Sequence, residues 1–159
     1  MKSMKSTLWF ACALASIPVI ASAQDLHQAS ELSVGSSLNH VETQQHGYGN
    51  ESTVYQQSRN SDSLIVQKGA HNRALSLQVG NGHDARVLQS GGYLDASIVQ
   101  FGYGHEASIQ QSGFRKEASV IQDGVYGSVD VRQLGSSRGT PVEVVQFSRG
   151  QAAIQVIQH

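Results

Sequence analysis

The sequence predicts an all-β fold: a two-sheet parallel β-solenoid, β-helix-like with cross-β amyloid spacing, made of 11-residue strand-turn units at 22 residues per coil. Three observations predict it. Glutamine returns every eleven residues, at Gln45, Gln56, Gln67, Gln78, Gln89, Gln100, Gln111, Gln122 and Gln133, nine in succession without a slip. Two places after each Gln stands Gly or Ser: Gly47, Ser58, Gly69, Gly80, Gly91, Gly102, Gly113, Gly124 and Gly135. Finally, small and β-branched residues lead into each Gln, with Ala74, Ala85, Ala96, Ala107 and Ala118 at the seventh position and Ile65, Val87, Ile98, Ile109, Val120 and Val131 at the ninth.

Positions seven, nine and eleven differ by two, so on an extended chain Ala, Val or Ile, and Gln share one face. Each unit therefore reads as a strand of about five residues followed by a Gly-containing turn. An eleven-residue period also suits a right-handed coiled coil, but a Gly in every unit and β-branched residues before every Gln oppose a helix. Strands this short bury a small inner face only by stacking. Two units would close one flat coil, with the next coil about 4.8 Å above it. Gln45, Gln67, Gln89, Gln111 and Gln133 then form one column, and Gln56, Gln78, Gln100 and Gln122 the other. A buried primary amide needs both an acceptor and a donor, and an in-register stack of identical amides supplies both.

Read along the chain, residues 1–23 have the form of a secretory signal peptide. Lys2 and Lys5 precede the apolar run TLWFACALASIPVIASA, which ends in the small-residue pattern Ala21-Ser22-Ala23. Cleavage after Ala23 would leave 136 residues without a thiol, since Cys12 is the only cysteine of the 159-residue chain. An exported domain with no disulfide must be held together in some other way. Trp9 and Phe10 leave with the signal, so the core has few large apolar groups to draw on. Removing Lys2 and Lys5 takes the eleven basic residues to nine against twelve acidic ones, a balance that excludes the basic face of a general nucleic-acid binder. Residues 24–44 carry a weak first repeat, in which Leu32, Val34 and Val41 are in phase but no Gln stands at 34.

Residues 45–135 hold the regular repeats. The pattern Q-x-G-x-x-N-x-A-x-x-x-Q, met in full by Gln67, Gly69, Asn72, Ala74 and Gln78, resembles the curlin repeat of bacterial curli amyloid subunits. The resemblance runs over roughly residues 30–159. It implies a secreted structural amyloid subunit of curli fibres, exported through the outer membrane and held at the cell surface in the extracellular fibre, with roles in adhesion and biofilm. Implied partners are the major curlin subunit, further copies of this chain, outer-membrane secretion and assembly factors, and host matrix proteins. No enzyme activity, cofactor or nucleic-acid partner is expected. Departures from the family pattern point to the minor, nucleating subunit rather than the major fibre subunit. Asn at position five survives only as Asn50 and Asn72, giving way to Ser61, His83, Leu94, His105, Lys116 and Gly127.

Residues 136–159 diverge further. Gln133 to Gln146 is thirteen residues and Gln146 to Gln158 is twelve, and the text PVEVVQFSRGQAAIQVIQH is similar to the end of the minor subunit. Pro141 directly precedes the expected strand Val142 to Gln146, where it removes a ladder donor, and Arg138 and Arg149 flank that strand. A stacked solenoid leaves an unpaired strand at each end. The expectation is a growth-competent body and a C-terminal anchoring segment that includes Pro141, Gln146, Arg149 and Gln158.

The turn glycines Gly47, Gly69, Gly80, Gly91, Gly102, Gly113 and Gly124 precede a mostly acidic sixth position: Glu51, Asp62, Asp84, Asp95, Glu106 and Glu117, interrupted by Arg73 and Ser128. Stacked, they would form carboxylate columns on the two turn edges. A ladder of equivalent acids is not a pair with divergent roles, so the reading is of gatekeepers against premature aggregation, with divalent-cation binding as the alternative. His83 and His105, 22 residues apart, would stack on one turn, but two histidines without Cys do not make a zinc site. Tyr48, Tyr93, Tyr103 and Tyr126 fall at turns. Outside the amyloid class stands a monomeric β-solenoid that binds carbohydrate or ice; only Thr43 and Thr53 lie near outer strand positions, which is poor material for a regular Thr face.

Overall fold

The computed structural model describes residues 38–136 and 138–159, together with the two short strands β1 (Val19–Gln24) and β2 (Ser30–Glu31). Five strands cover one unit each: β4 (Asp62–Ala70), β5 (Arg73–Asn81), β6 (Asp84–Gly92), β7 (Asp95–Tyr103) and β8 (Glu106–Phe114). Three longer ones, β3 (His40–Arg59), β9 (Glu117–Gln133) and β10 (Val142–Gln158), continue through a turn and cover two units.

The units alternate between two parallel stacks. The first half of β3 pairs with β4, β4 with β6, β6 with β8, and β8 with the second half of β9. On the other side the second half of β3 pairs with β5, β5 with β7, and β7 with the first half of β9. β10 lies along both halves of β9 and closes the stack. Each residue of β4 to β7 faces the residue 22 places away in both directions, and β8 does so through Gln111, giving a β-solenoid of about five turns. Because β3, β9 and β10 bend across both stacks, all the strands belong to one hydrogen-bonded sheet.

Between the stacks lies a hydrophobic core of Ala, Val and Ile, among them Ile65, Val87, Ile98, Ile109, Val120 and Val131 at 0 % exposure. Small side chains suffice because the two inner faces close tightly on each other, each buried Val or Ile contributing about 1.5–3 kcal/mol. Ser63 and Ser76 take core positions as well, and their hydroxyls have no partner.

The strands are longer than the five residues expected. They run to nine and pass through the glycine, because in-register stacking lets even a bent segment pair with the same bend one layer away. Gly91 shows what the position requires: its φ is +138°, and a Cβ there would collide with the carbonyl oxygen of Gly113 in the next layer. The reversal itself lies two residues later, where His71, Tyr93 and Arg115 adopt the left-handed region with φ of 56°, 56° and 51°.

At the C-terminus the extra residues are absorbed outside the columns. One surplus sits in the connection between Gln133 and Val142, and another in a bulge between Arg149 and Ala152. At the N-terminus, most of the expected signal segment, and Leu32 and Val34 of the weak first repeat, lie outside the described residues. Val41 packs against the core. β1 and β2 pair antiparallel with β3, an arrangement the repeat does not predict. A chain cut after Ala23 would lose nearly all of β1. No helix among the described residues is long and apolar enough to cross a membrane.

Candidate functional site

Two columns of primary amides run the length of the solenoid. In one, Gln45 Nε2 donates to Gln67 Oε1 at 2.6 Å, Gln67 to Gln89, Gln89 to Gln111 and Gln111 to Gln133 each at 2.9 Å, and Gln133 to Gln158 at 2.9 Å. In the other, Gln56 donates to Gln78 at 2.6 Å, Gln78 to Gln100 at 3.1 Å, Gln100 to Gln122 at 3.0 Å and Gln122 to Gln146 at 2.9 Å. The second amide hydrogen is used too. Gln67 donates to Glu51 O, Gln89 to Arg73 O and Gln111 to Asp95 O, each carbonyl lying on the facing stack. The amides thus tie each coil to the next and each stack to its opposite. Gln67, Gln78, Gln100, Gln111, Gln122 and Gln133 are at most 1 % exposed, a depth that an unpaired amide tolerates only at a cost of several kcal/mol.

The sequence gives Gln146 and Gln158 as out of phase, but both join the columns, at separations of 24 and 25 residues. Their remaining donors turn inward, Gln146 to Ala152 O and Gln158 to Thr140 Oγ1. Pro141 directly precedes the first registered pair of β10 with β9, Val142 with Ala118. In earlier coils the backbone N–H at this position donates to the following layer, as Arg73 N does to Leu94 O and Asp95 N to Lys116 O. The last coil lacks that donor at its outer edge. Arg149 is exposed on the same strand, beside the bulge.

Sequence reasoning missed position five. Asn50 Oδ1 accepts the N–H of Asn72, and Asn72 Oδ1 that of Leu94. On the other edge Ser61 Oγ accepts from His83 N, His83 Nδ1 from His105 N at 3.4 Å, and His105 Nδ1 from Gly127 N at 3.0 Å. Asn, Ser and His have in common an acceptor close to Cβ, and that shared chemistry was the available signal. With Nδ1 accepting, Nε2 carries the proton and donates to Val79 O in His83 and Phe101 O in His105. The two rings are parallel within 3° at 5.5 Å. Burial pushes the His83 imidazole below its ordinary value of 6.5; the Val79 carbonyl pulls the other way, and His105 adds to the depression.

The sixth position forms two different edges. Asp62, Asp84 and Glu106 face one another in register, whereas Arg73 sits between Glu51 and Asp95, at 3.2 Å and 3.8 Å from their carboxylates. Burial raises the Asp84 carboxyl above its ordinary value; Arg86 opposes the shift, and Glu106 and Asp62 add to it. Asp95 is raised likewise by burial, with Arg73 opposing. The dominant cause is therefore loss of water rather than the stacked neighbours. Glu117 caps the second edge, opposite Asp95. No group of three or more His, Cys, Asp or Glu among the described residues is placed to hold a metal ion.

The turn aromatics contact one another: Tyr48 meets His71 edge-on, His71 stacks on Tyr93, Tyr93 meets Phe114, and Tyr103 meets Tyr126. Arg115 lies over the Tyr93 and Phe114 rings.

Compared with known families, the curlin associated repeat matches at residues 59–91 and 94–124. The two matches cover 64 of the 159 residues. The matched segments take in β4 to β8 and the start of β9, the most regular coils of the stack, and they support the resemblance to the curlin family. No match was found among curated proteins or among solved structures.

Proposed function

We propose that this chain is a secreted structural amyloid subunit of curli fibres and that it acts as the surface-anchored nucleator on which the major curlin subunit polymerises. The observation that carries the reading is the in-register amide stack combined with parallel strand edges, that of β10 unpaired and that of β3 freed over Glu51 to Val54 when a cut after Ala23 removes the paired residues of β1. An edge strand with unpaired N–H and C=O groups recruits a chain able to continue its pattern, and here any chain with Gln at the same spacing extends the columns without a break. Support for the nucleator over the fibre builder comes from the last coil, with its irregular separations, its proline at a donor position and its bulge.

Charge follows the same division. Residues 24–110 hold four basic and eight acidic groups, and residues 111–159 five and four. The N-terminal body templates; the segment containing Pro141, Gln146, Arg149 and Gln158 holds the cell surface, through outer-membrane assembly factors. Export requires the signal at residues 1–23. The acidic positions keep the chain from aggregating on the way out, and the exposed turn aromatics contact matrix proteins.

A seeding assay tests this. Substoichiometric amounts of the protein should shorten the lag of a purified major curlin subunit. A chain lacking Phe147 to His159 should still seed in solution but be shed from cells. Failure of the full-length protein to seed overturns the nucleator role and leaves the major-subunit reading; a truncated form that stays attached yet loses seeding reverses the division of labour.

A further inference from the structure

The outward faces of the two stacks differ. On the stack of β5, β7 and the first halves of β9 and β10, the register lines up Tyr55, Leu77, Val99, Ile121 and Val145 in a single outward column. Phe101 and Phe147 stand beside it at 39 % and 77 % exposure. The equivalent column of the other stack reads Gln44, Val66, Leu88, Gln110, Arg132 and Ile157, with Lys68, Arg86 and Asp130 at its flanks. One face is thus a continuous apolar stripe, and the other is broken by amides and charges.

We infer that the apolar face is the lateral interface between two solenoids of this chain, packed face to face and antiparallel within the fibre. The inference rests on the fibre reading proposed above. Area supports a copy in a stack rather than a soluble dimer. Five layers at about 4.8 Å and a strand width of about 17 Å give roughly 400 Å² per molecule, half of the roughly 800 Å² per partner that a stable interface buries. Coils stacked end to end extend the stripe, so two copies in a filament already reach that area. Charge decides the partner and the orientation. The central residues of the face carry no Lys or Arg, which an anionic membrane surface would require, and its acidic groups, Asp123 and Glu143, lie at the C-terminal end. Parallel mating would oppose like charges there, whereas antiparallel mating sets Glu143 against the Thr53, Tyr55 and Gln57 layer of the other copy and Asp123 against its Leu75, Leu77 and Val79 layer, neither of which carries a carboxylate in these columns. Two flat parallel sheets meeting through identical columns pack about 10 Å apart.

The test is the mass per unit length of unstained fibres, measured by scanning transmission electron microscopy on fibres grown from the protein, from the triple variant Leu77→Thr, Val99→Thr, Ile121→Thr, and from the opposite-face variant Val66→Thr, Leu88→Thr. Thr is β-branched, as strands favour. Wild type and the opposite-face variant should both give two coils per layer. The triple variant should give one, a two-fold fall, with its cross-β diffraction unchanged. Wild-type fibres one coil wide, or a triple variant still two coils wide, overturn the lateral interface while leaving the fibre intact. Absence of any fibre overturns the proposed function and the interface with it. If wild type floats with phosphatidylglycerol vesicles and the triple variant does not, the face is a membrane surface and the inference is wrong.

Discussion

Replacing Gln89 by Leu tests whether the amide columns hold the fold. Gln89 donates to Gln111 Oε1 and to Arg73 O and accepts from Gln67 Nε2, all within 2.9 Å. Leucine fills a similar volume but strands two buried partners, the Gln67 amide hydrogen and Gln111 Oε1. At about 2 kcal/mol for each orphan the loss is about 4 kcal/mol, offset by about 1–2 kcal/mol from the added apolar group. The Arg73 carbonyl also loses a donor, which an oxygen with two lone pairs tolerates better than a lone N–H does. The net cost of about 2–3 kcal/mol corresponds to a roughly 30- to 150-fold rise in the concentration of free chain in equilibrium with fibre.

The triple variant Gln67→Leu, Gln89→Leu, Gln111→Leu distinguishes a ladder from independent bonds. It strands only the two ends of the replaced segment, Gln45 Nε2 and Gln133 Oε1, again about 4 kcal/mol, while three leucines offset about 3–6 kcal/mol, so it should cost less than Gln89→Leu alone rather than three times as much. Residual soluble protein after ultracentrifugation of mature fibres measures both. A triple variant close to the additive value would refute a continuous column.

Other perturbations probe the edges and the core. The depressed His83 imidazole means that the folded coil prefers the neutral ring: stability is full above the unfolded value of 6.5 and falls as pH drops from there through the folded value. Fibres should therefore loosen under mild acid, and His83→Asn, which keeps an acceptor without that titration, should abolish the loss in a profile of fibre solubility against pH. Asp84 and Asp95 act with the opposite sign, since their raised values make the folded form bind more protons; their penalty stands above the folded value and is relieved as pH falls toward 3.8. Asp84→Asn should flatten the recovery at the acid end of the same profile. Ser76→Val removes a buried hydroxyl without a partner from a column that otherwise reads Val54, Ile98, Val120 and Val144. It should stabilise the fibre by about 1–2 kcal/mol, read as a lower residual soluble concentration.

Much of this was legible in the sequence because stacking is a local rule repeated. The Gln phase alone assigns the two columns, and the residues two before each Gln assign the core. The path of the chain between the columns was harder to read. Strand length failed because pairing to an identical bend lets β-structure persist through Gly69 or Gly91, which in an ordinary hairpin would end it. Position five was hidden because its function, accepting an N–H from the next coil, is met by side chains as unlike as Asn, Ser and His. The last coil misled by counting: a column needs an amide at the right height, and intervening residues can bulge away, as they do beyond Gln133 and at Arg149 to Ala152. β1, antiparallel to β3, lies outside the rule altogether.

In every one of the nine side-chain links the donor belongs to the earlier coil and the acceptor to the later one. The amide dipoles of both columns therefore point the same way, whereas strand backbone dipoles alternate and nearly cancel. Their moments add with each coil, as peptide dipoles do along an α-helix, so a fibre of such coils carries an axial electric moment proportional to its length. Its two tips are electrostatically unlike, one ending in amide oxygens and the other in amide hydrogens, and a suspension of fibres should orient in an applied field by polarity as well as by shape.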